Sequence, residues 1–139
     1  MAVRVRLVLL TAAVLGALCQ PLRAENLEHT RLLRETGQCP ACDLSEANLA
    51  GLISPGADLR NADLNAAILY KVRLNKANLD GARLQRADLS GANLTGASLI
   101  GADFSGANLR GAIGARLTRA TTDAATTCPD GAKGPCAAR

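Results

Sequence analysis

A strict five-residue period dominates the sequence. Residues 42–116 divide into 15 consecutive blocks of five without an insertion. The first position is Ala in 12 of these blocks, and the third position is Leu in 12 and Phe in one. A period of five fits neither the helical turn of about 3.6 residues nor the two-residue alternation of a long strand. The sequence therefore predicts a repeat architecture, which constrains the fold more than any local preference does.

Within each block the two apolar positions stand two residues apart. Residues two apart share one face of an extended segment, so the first and third side chains are predicted to face inward. The other residues must turn a corner. Gly occupies the fifth position of eight blocks, where a positive φ has no steric cost. Asp or Asn occupies the second position of nine blocks, where the side chain can bond the nearby backbone.

The apolar composition favours a thin, regular core. Ala and Leu supply most of the apolar residues, and Tyr70 and Phe104 are the only aromatic ones. Two blocks depart from the pattern. In residues 52–56 the inward third position is Ser54, and Pro55 cannot donate a ladder hydrogen bond, so we expect a local bulge with the register kept. In residues 112–116 the third position is Gly114, which indicates the end of the solenoid.

The blocks, among them ADLSG and ANLTG, resemble the A(D/N)LXX consensus of the pentapeptide-repeat family, over 75 of the 139 residues. The resemblance implies an all-β fold, a right-handed quadrilateral β-helix with four blocks per coil and Leu and Ala stacked inside. Fifteen blocks then make about four coils with a height of roughly 18 Å. Residues 20 apart would form columns, in one of which Arg83 lies between Asp63 and Asp103.

Residues 1–24 have the pattern of a secretory signal peptide. Arg4 and Arg6 precede an uncharged apolar run at residues 7–18, and small Ala24 ends the segment. The run is shorter than the roughly 20 residues that span a bilayer, so a cleaved signal is predicted rather than a stable membrane span. We therefore expect an exported protein that begins at Glu25 and resides in the periplasm or the medium.

Cleavage would change the charge and the cysteine count. It would remove three of the 16 basic residues and none of the 12 acidic ones, which leaves 13 − 12 = +1. Such a net charge indicates no strong attraction to DNA or to anionic membrane, and no nucleic-acid partner is predicted. A lipoprotein modified at Cys19 is the alternative, which large Leu18 disfavours, because a small residue is typical before a lipidated cysteine.

Caps are expected at both ends, because a solenoid otherwise exposes its core and its strand edges. Residues 25–36 are predicted to form a helix with Leu27, Leu32 and Leu33 on one side, stopped by Gly37. We thus predict four segments: a signal peptide at 1–24, an N-terminal helical cap at 25–41, the solenoid at 42–116 and an irregular C-terminal cap and tail at 117–139.

Four cysteines would remain after cleavage, namely Cys39, Cys42, Cys128 and Cys136. An even number in an exported chain favours two disulfides, for which three connectivities exist. In the coil that the family resemblance implies, the two ends lie roughly 18 Å apart, and bridged Cα atoms lie within about 7 Å. The local pairs Cys39–Cys42 and Cys128–Cys136 are therefore expected. A buried, reduced Cys42 is left open.

The cysteines also raise two chemical alternatives. Cys39-Pro40-Ala41-Cys42 has the spacing of a thioredoxin-like redox pair, but that chemistry is typical of a cysteine at a helix N-terminus in a βαβ pattern, which is missing here. A zinc site made of all four cysteines would require the two ends to meet. No metal or cofactor is therefore predicted.

Other candidate sites are few. His29 is the only histidine, and we expect it to be solvated on the cap helix. The sequence shows no catalytic set, so no enzyme activity is predicted. The best surface candidate comprises Tyr70, Lys71, Arg73 and Lys76. Together with Ile68, Arg83 and Arg86 they form a segment with five positive charges against one acid, Asp80, which could contact an anionic or mixed partner or simply be solvated.

These features favour a non-enzymatic structural or protein-interaction module of the cell envelope or exterior. One alternative is a DNA-mimicking protein that interacts with gyrase, as some members of the family do, although that role requires an acidic surface and a cytoplasmic location. Another is an envelope thiol-disulfide protein that uses Cys39 and Cys42. The partner is expected to be an unknown protein, and the chain to be a monomer or, as in many family members, an end-to-end homodimer.

Overall fold

Parallel bridges at one constant spacing organise the chain. The fold is known from a computed structural model, which describes residues 24–136. From Gln38 to Asn93, the second residue of each block pairs in parallel with the residue 20 positions later. Since each block has five residues, 20 divided by five gives four blocks per coil. The quadrilateral coil is therefore confirmed. Residues 1–23 of the predicted signal peptide and the final three residues lie outside the described part of the chain.

Three backbone hydrogen bonds join each block from residue 42 to residue 91 to the next coil. In a typical block, the N–H of Leu64 donates to the carbonyl of Arg83 at 2.7 Å and that of Ala66 to the carbonyl of Gln85 at 2.8 Å. In the opposite direction, the N–H of Arg83 donates to the carbonyl of Ala62 at 2.9 Å. Within residues 24–136 every β element is a single bridge, so no strand is longer than one ladder residue.

The first and third side chains fill the interior, as predicted. Ala62 and Leu64 are fully buried, and so are their counterparts in the next coil, Ala82 and Leu84. Phe104 takes a Leu position and is also fully buried. Burying one Leu or Phe side chain stabilises the fold by about 1.5–3 kcal/mol. The stack of buried Leu and Ala side chains therefore holds the coils together along the axis.

The fifth residue of each block bends the chain at a corner. Its φ lies between 52° and 72° in all 14 corners from Glu46 to Gly111. The turn is closed by the next block, as when the N–H of Ala47 donates to the carbonyl of Leu44 at 3.1 Å. A positive φ at this position is typical of a type II turn. Six of the 14 corner residues are not Gly, so the whole coil imposes this conformation and Gly merely favours it.

Side chains at the second position support the same turns. In Asp63, for example, Oδ1 accepts a hydrogen bond from the N–H of Asn65 at 3.0 Å. All nine Asp and Asn residues at this position bond the N–H two residues later in this way, as predicted. In these nine blocks the fourth N–H is thus directed at its own block, whereas those of Gln85 and Ile100 donate to the side chains of Asn65 and Asp80 one coil away.

The expected bulge at Pro55 is wrong, although the register is kept as predicted. Ser54 donates its N–H to the carbonyl of Arg73 at 2.9 Å, and Gly56 also donates to the next coil. The ladder is intact because Pro55 occupies the fourth position, whose N–H never joins it. The side chain of Ile53, at the second position of this block, could not accept a hydrogen bond from a fourth-position N–H. Pro55, which lacks an N–H, therefore removes no hydrogen bond. Ser54 faces inward and is buried, as expected.

The ladder begins one block earlier than predicted. Gln38 pairs in parallel with Asp58 of the next coil. Cys39 then occupies an inward third position and is fully buried, and Ala41 has the left-handed corner conformation with φ of 56°. Residues 37–41 therefore form a repeat block, which the sequence concealed because Cys39 and Ala41 replace the usual Leu and Gly.

One α-helix, α1 (Ala24–Thr36), precedes the coils. Leu33 is buried, whereas Leu27 and Leu32 are exposed by 56% and 42%. The predicted face of three leucines is therefore wrong, because only one of them contacts the core. Neither α1 nor the other helical segment within residues 24–136 is both long and apolar enough to cross a bilayer.

Polar contacts attach α1 to the first coil. Asn26 donates to the carbonyl of Ser45 at 2.6 Å, and Arg34 donates to that of Asn48 at 2.9 Å. Nδ1 of His29 accepts a hydrogen bond from the backbone N–H of Asp43 at 3.1 Å. A solvated His29 was expected, but the ring is partly buried at this contact.

The tail continues the ladder on two sides of the coil. After a short 3-10 helix, Leu117–Arg119, Thr121 pairs with Asp103 and Thr127 with Asn108. Both spacings are shorter than that of the regular bridges, so the five-residue period is lost although the pairing is not. An irregular tail was predicted for this reason. The structure shows that its first part pairs with the last coil.

Asp123 holds the tail on that coil. Its Oδ1 accepts hydrogen bonds from the N–H groups of Gly106 and Thr126, both at 2.9 Å, and from that of Ala125 at 3.1 Å. Thr126 is fully buried, and its hydroxyl bonds back to the N–H of Asp123 at 2.9 Å. These bonds, led by the one from Gly106, lower the pKa of Asp123. The ionised carboxylate is therefore the form that the folded tail favours.

The glycine at the end of the repeats is expected to tolerate alanine less than a corner glycine does. Gly51 and Gly114 have nearly equal φ values of 67° and 70°, but a Cβ at Gly51 meets nothing within 4 Å, whereas a Cβ at Gly114 would collide with the backbone of Thr95. Gly51→Ala should cost about 1–2 kcal/mol of unfolding free energy through strain alone. Gly114→Ala should cost about 1–3 kcal/mol more. Urea unfolding measures both, and equal losses would contradict the close approach at Thr95.

The contribution of Asp123 is expected to depend on pH. Because folding lowers its pKa, the ionised carboxylate stabilises the fold above its ordinary pKa of about 3.9 and ceases to do so as the pH falls through the lower folded value. Asp123→Asn should therefore be less stable than the natural chain at neutral pH. The difference should shrink below about pH 4. Urea unfolding across this range tests it, and a difference that stays constant on acidification contradicts the assignment.

Candidate functional site

A row of three cations crosses one side of the coil. Lys71 and Lys76 are consecutive corner residues, with φ values of 52° and 59°. Arg73 lies on the side between them, in the ladder position that pairs with Ile53 and Asn93. All three side chains are exposed. Within the part of the chain that the structure describes, none of them forms an ion pair with a carboxylate.

The two lysines rest on glycines of the next coil. A Cβ added at Gly91 would lie 3.2 Å from Cγ of Lys71, and one at Gly96 would lie 3.4 Å from Cγ of Lys76. The aliphatic stems therefore lie along the corners, in space that a larger residue would occupy. The ammonium group of Lys71 stands 5.0 Å from the ring centroid of Tyr70. Hydrogen bonding to Tyr70 raises the pKa of Lys71, which keeps it charged.

The side that carries Arg73 contains no acidic residue. We call it the acid-free side, and it consists of residues 52–56, 72–76, 92–96 and 112–116. Two isoleucines share the ladder column of Arg73, and they are among the most exposed large apolar side chains described: Ile53 at 62% and Ile113 at 55%. This side thus presents cations and apolar groups together.

Blocks ten residues away form the opposite side of the four-sided coil, which we call the acidic side. It consists of residues 42–46, 62–66, 82–86 and 102–106, and its charged residues are Asp43, Glu46, Asp63, Arg83, Arg86 and Asp103. Arg83 stands 3.8 Å from Asp63. Asp103 instead accepts a hydrogen bond from Gln85 at 2.6 Å, so Arg83 contacts one carboxylate and not the two that were expected.

The predicted surface cluster is therefore divided by the coil. The structure brings Tyr70, Lys71, Arg73 and Lys76 to one corner and the adjoining side. Arg83 and Arg86 lie on the opposite side, because ten residues carry the chain halfway round. The cluster was predicted from the closeness of residues 68–86 in sequence, but the coil spreads such neighbours over several sides. Ile53 and Ile113 were missed because they join the cations only through the ladder.

Cys39 and Cys42 are paired inside the core. Their Cα atoms are 5.3 Å apart, across a turn in which the N–H of Cys42 donates to the carbonyl of Cys39. Cys39 is completely buried and Cys42 is 6% exposed. A thioredoxin-like pair requires an accessible cysteine at the start of a helix. Here the pair follows α1 and is buried, so the geometry gives no support to redox exchange.

Cys128 and Cys136 are paired at the other end, with Cα atoms 5.4 Å apart. They close a small hairpin in which Thr127 and Lys133 form an antiparallel bridge. Cys136 remains partly exposed. Residues 24–136 contain no group of three His, Cys, Asp or Glu side chains that is placed to hold a metal ion.

A groove of about 860 Å³ lies beside this hairpin, between residues 112–118 and 128–136. Arg116, Lys133 and Asp130 are its charged lining residues, and Leu117 and the prolines of the hairpin supply apolar surface. No sequence pattern predicted it, because the groove forms where the tail leaves the five-residue period.

Known proteins resemble the chain mainly in its repeats. The family model for pentapeptide repeats matches residues 42–81 and 77–113, with eight copies. A solved pentapeptide repeat protein from the cyanobacterium Cyanothece 51142 is 24% identical, with a TM-score of 0.48, over 73% of this chain and 98% of that one. Another, from Nostoc Pcc 7120, is 34% identical, with a TM-score of 0.45, over 74% of this chain and 81% of that one.

A more distant likeness is to QnrB1, a plasmid-mediated fluoroquinolone resistance protein. It is 22% identical, with a TM-score of 0.22, over 62% of this chain and 70% of that one. None of the curated proteins compared with the chain matches it.

The two cysteine pairs are expected to differ in their rate of reduction. Attack by a thiolate needs access to a sulfur atom. Cys39 and Cys42 are buried, whereas Cys136 is partly exposed, so the Cys128–Cys136 pair should be reduced first under native conditions. Timed alkylation followed by peptide mass spectrometry measures the order. Earlier labelling of Cys39 and Cys42, or a linked peptide that joins the two ends, would contradict the structure.

Proposed function

Because the chain belongs to the pentapeptide-repeat family, whose model matches more than half of its length, we propose that it is a non-enzymatic structural or interaction module of the cell envelope or exterior. The main support is that the coil is filled. Leu and Ala side chains occupy the interior. Backbone N–H groups donate to the ladder and to the turns. Such a body acts through its outer sides. It offers a rigid, regular surface to a partner.

An exported location is part of this proposal. It is supported by the signal-like pattern of residues 1–24 and by four cysteines that stand in two local pairs. Disulfides form and persist in oxidising compartments. The charge pattern also disfavours a gyrase-directed role, because duplex mimicry needs a strongly acidic surface and one side of this coil has no acid at all.

The corner at Tyr70 is the contact surface that we propose for a partner. Tyr70 is 43% exposed and stands next to the cationic row of Lys71, Arg73 and Lys76. Tyr and Arg are enriched in the residues that contribute most to binding. Ile100 provides a matched reference, because it also occupies a fourth block position and is also 43% exposed, but on a different side.

Site-specific photocrosslinking in the exporting cell tests this surface. A photoreactive residue placed at position 70 should give defined crosslinked products, whereas the same residue at position 100 should give few. Mass spectrometry of the products identifies protein or lipid. Equal products at both positions, or none at position 70, would contradict the proposed surface.

A further inference from the structure

The charges of the coil are segregated by side, which the net charge conceals. Over residues 42–116 there are eight basic and seven acidic residues, a net charge of 8 − 7 = +1. The acid-free side carries Arg73, Lys76 and Arg116, with Lys71 at its edge, while the acidic side carries four carboxylates and two arginines. A partner in contact with the acid-free side therefore meets three cations and no carboxylate on that side, whereas Asp58, Asp80 and Asp88 lie on the two adjoining sides.

By itself, without the neighbouring sides, the acid-free side is too small for a specific protein interface. Four stacked blocks measure about 15 Å along the axis, and three extended residues measure about 10 Å across. The resulting area of roughly 150 Å² is well below the roughly 800 Å² that each partner contributes to a stable protein complex. Lysine is also depleted in such interfaces. Two of the three cations in the row are lysines, which is a second argument against a protein interface here.

A planar anionic surface places fewer demands on area. Near an anionic bilayer each Lys or Arg strengthens binding about fivefold, and the contributions need no shaped pocket. The row of three cations crosses one coil. The ladder column that contains Arg73 has Ile53 at one end and Ile113 at the other. Exposed apolar side chains beside cations, with a tyrosine at the corner, are typical of surfaces that rest at the membrane interface.

We propose that the acid-free side is a docking surface for an anionic lipid bilayer, against which the coil lies with Arg73 at the centre of the contact. The inference rests on the proposed function, because it assumes that the protein binds its partners through the outer sides of the coil. It names the partner of that surface as phospholipid headgroups. The protein would then be held at the bilayer surface peripherally and reversibly, through charge and two isoleucines.

Vesicle binding by two matched variants tests this assignment. Arg73→Gln/Lys76→Gln changes the second and fifth positions of a block on the acid-free side, and Arg83→Gln/Arg86→Gln changes the same positions on the acidic side. Both variants lose two positive charges. The protein is purified from the exported fraction, so that every variant has the same natural N-terminus. Cosedimentation uses vesicles of equal parts phosphatidylglycerol and phosphatidylcholine, and vesicles of phosphatidylcholine alone.

The natural chain should bind the anionic vesicles and not the neutral ones, and added salt should weaken the binding. Arg73→Gln/Lys76→Gln should lower the partition coefficient about thirtyfold, while Arg83→Gln/Arg86→Gln should leave it within about twofold. Equal loss in both variants, or no binding by the natural chain, overturns the inference. Binding to immobilised polyglutamate without binding to vesicles would also overturn it, in favour of an acidic protein.

Failure of the inference and failure of the proposed function can be told apart. If the protein does not bind vesicles but photocrosslinking at position 70 still yields a defined protein product, the proposed interaction module stands and the lipid assignment is wrong. Circular dichroism and urea unfolding of each variant establish that a loss of binding is not a loss of fold. Ile53→Asn/Ile113→Asn should reduce binding further at high salt, where the electrostatic attraction is screened.

Discussion

The left-handed corner is the constraint on which the rest of this structure depends. Every fifth residue from Glu46 to Gly111 takes a positive φ, and this closes the turn that sends the chain along the next side. Four such turns return the chain to the column where it started, so the ladder donors of one coil face the acceptors of the next. Left-handed φ costs non-glycine residues about 1–2 kcal/mol. Ladder bonds and buried leucines on both sides of Lys71 or Arg86 offset that cost.

The sequence predicts the periodic part of this fold and little beyond it. Inward Ala and Leu, corner glycines and turn-bonding Asp and Asn all follow from the five-residue period. The expectations at Pro55 and Leu27 were wrong because they depend on which N–H joins the ladder and on how α1 meets the first coil. The pairing of Thr121 and Thr127 was missed because their shortened bridge spacings follow no period.

The candidate site shows the same division between pattern and packing. Tyr70, Lys71 and Arg73 were found because they interrupt the repeat with charge and an aromatic ring. That Ile53 and Ile113 flank them could be known only from the four-block register, which joins residues far apart in sequence and separates neighbours such as Lys76 and Arg83. A net charge near zero thus coexists with an acidic and an acid-free side. The surface charge of a solenoid therefore has to be assessed for each side of the coil separately and not from the net charge of the whole chain.

The four-block register is tested most directly by engineered cysteine pairs. Asn78 and Ser98 are bridge partners, so cysteines at both positions should form a disulfide that non-reducing peptide mapping detects, since bridge partners stand about 5 Å apart. Cysteines at Asn93 and Ser98, which lie on adjacent sides, should not link. Only the link between positions 78 and 98 is expected. A link between positions 93 and 98, or none between 78 and 98, would contradict the four-block coil.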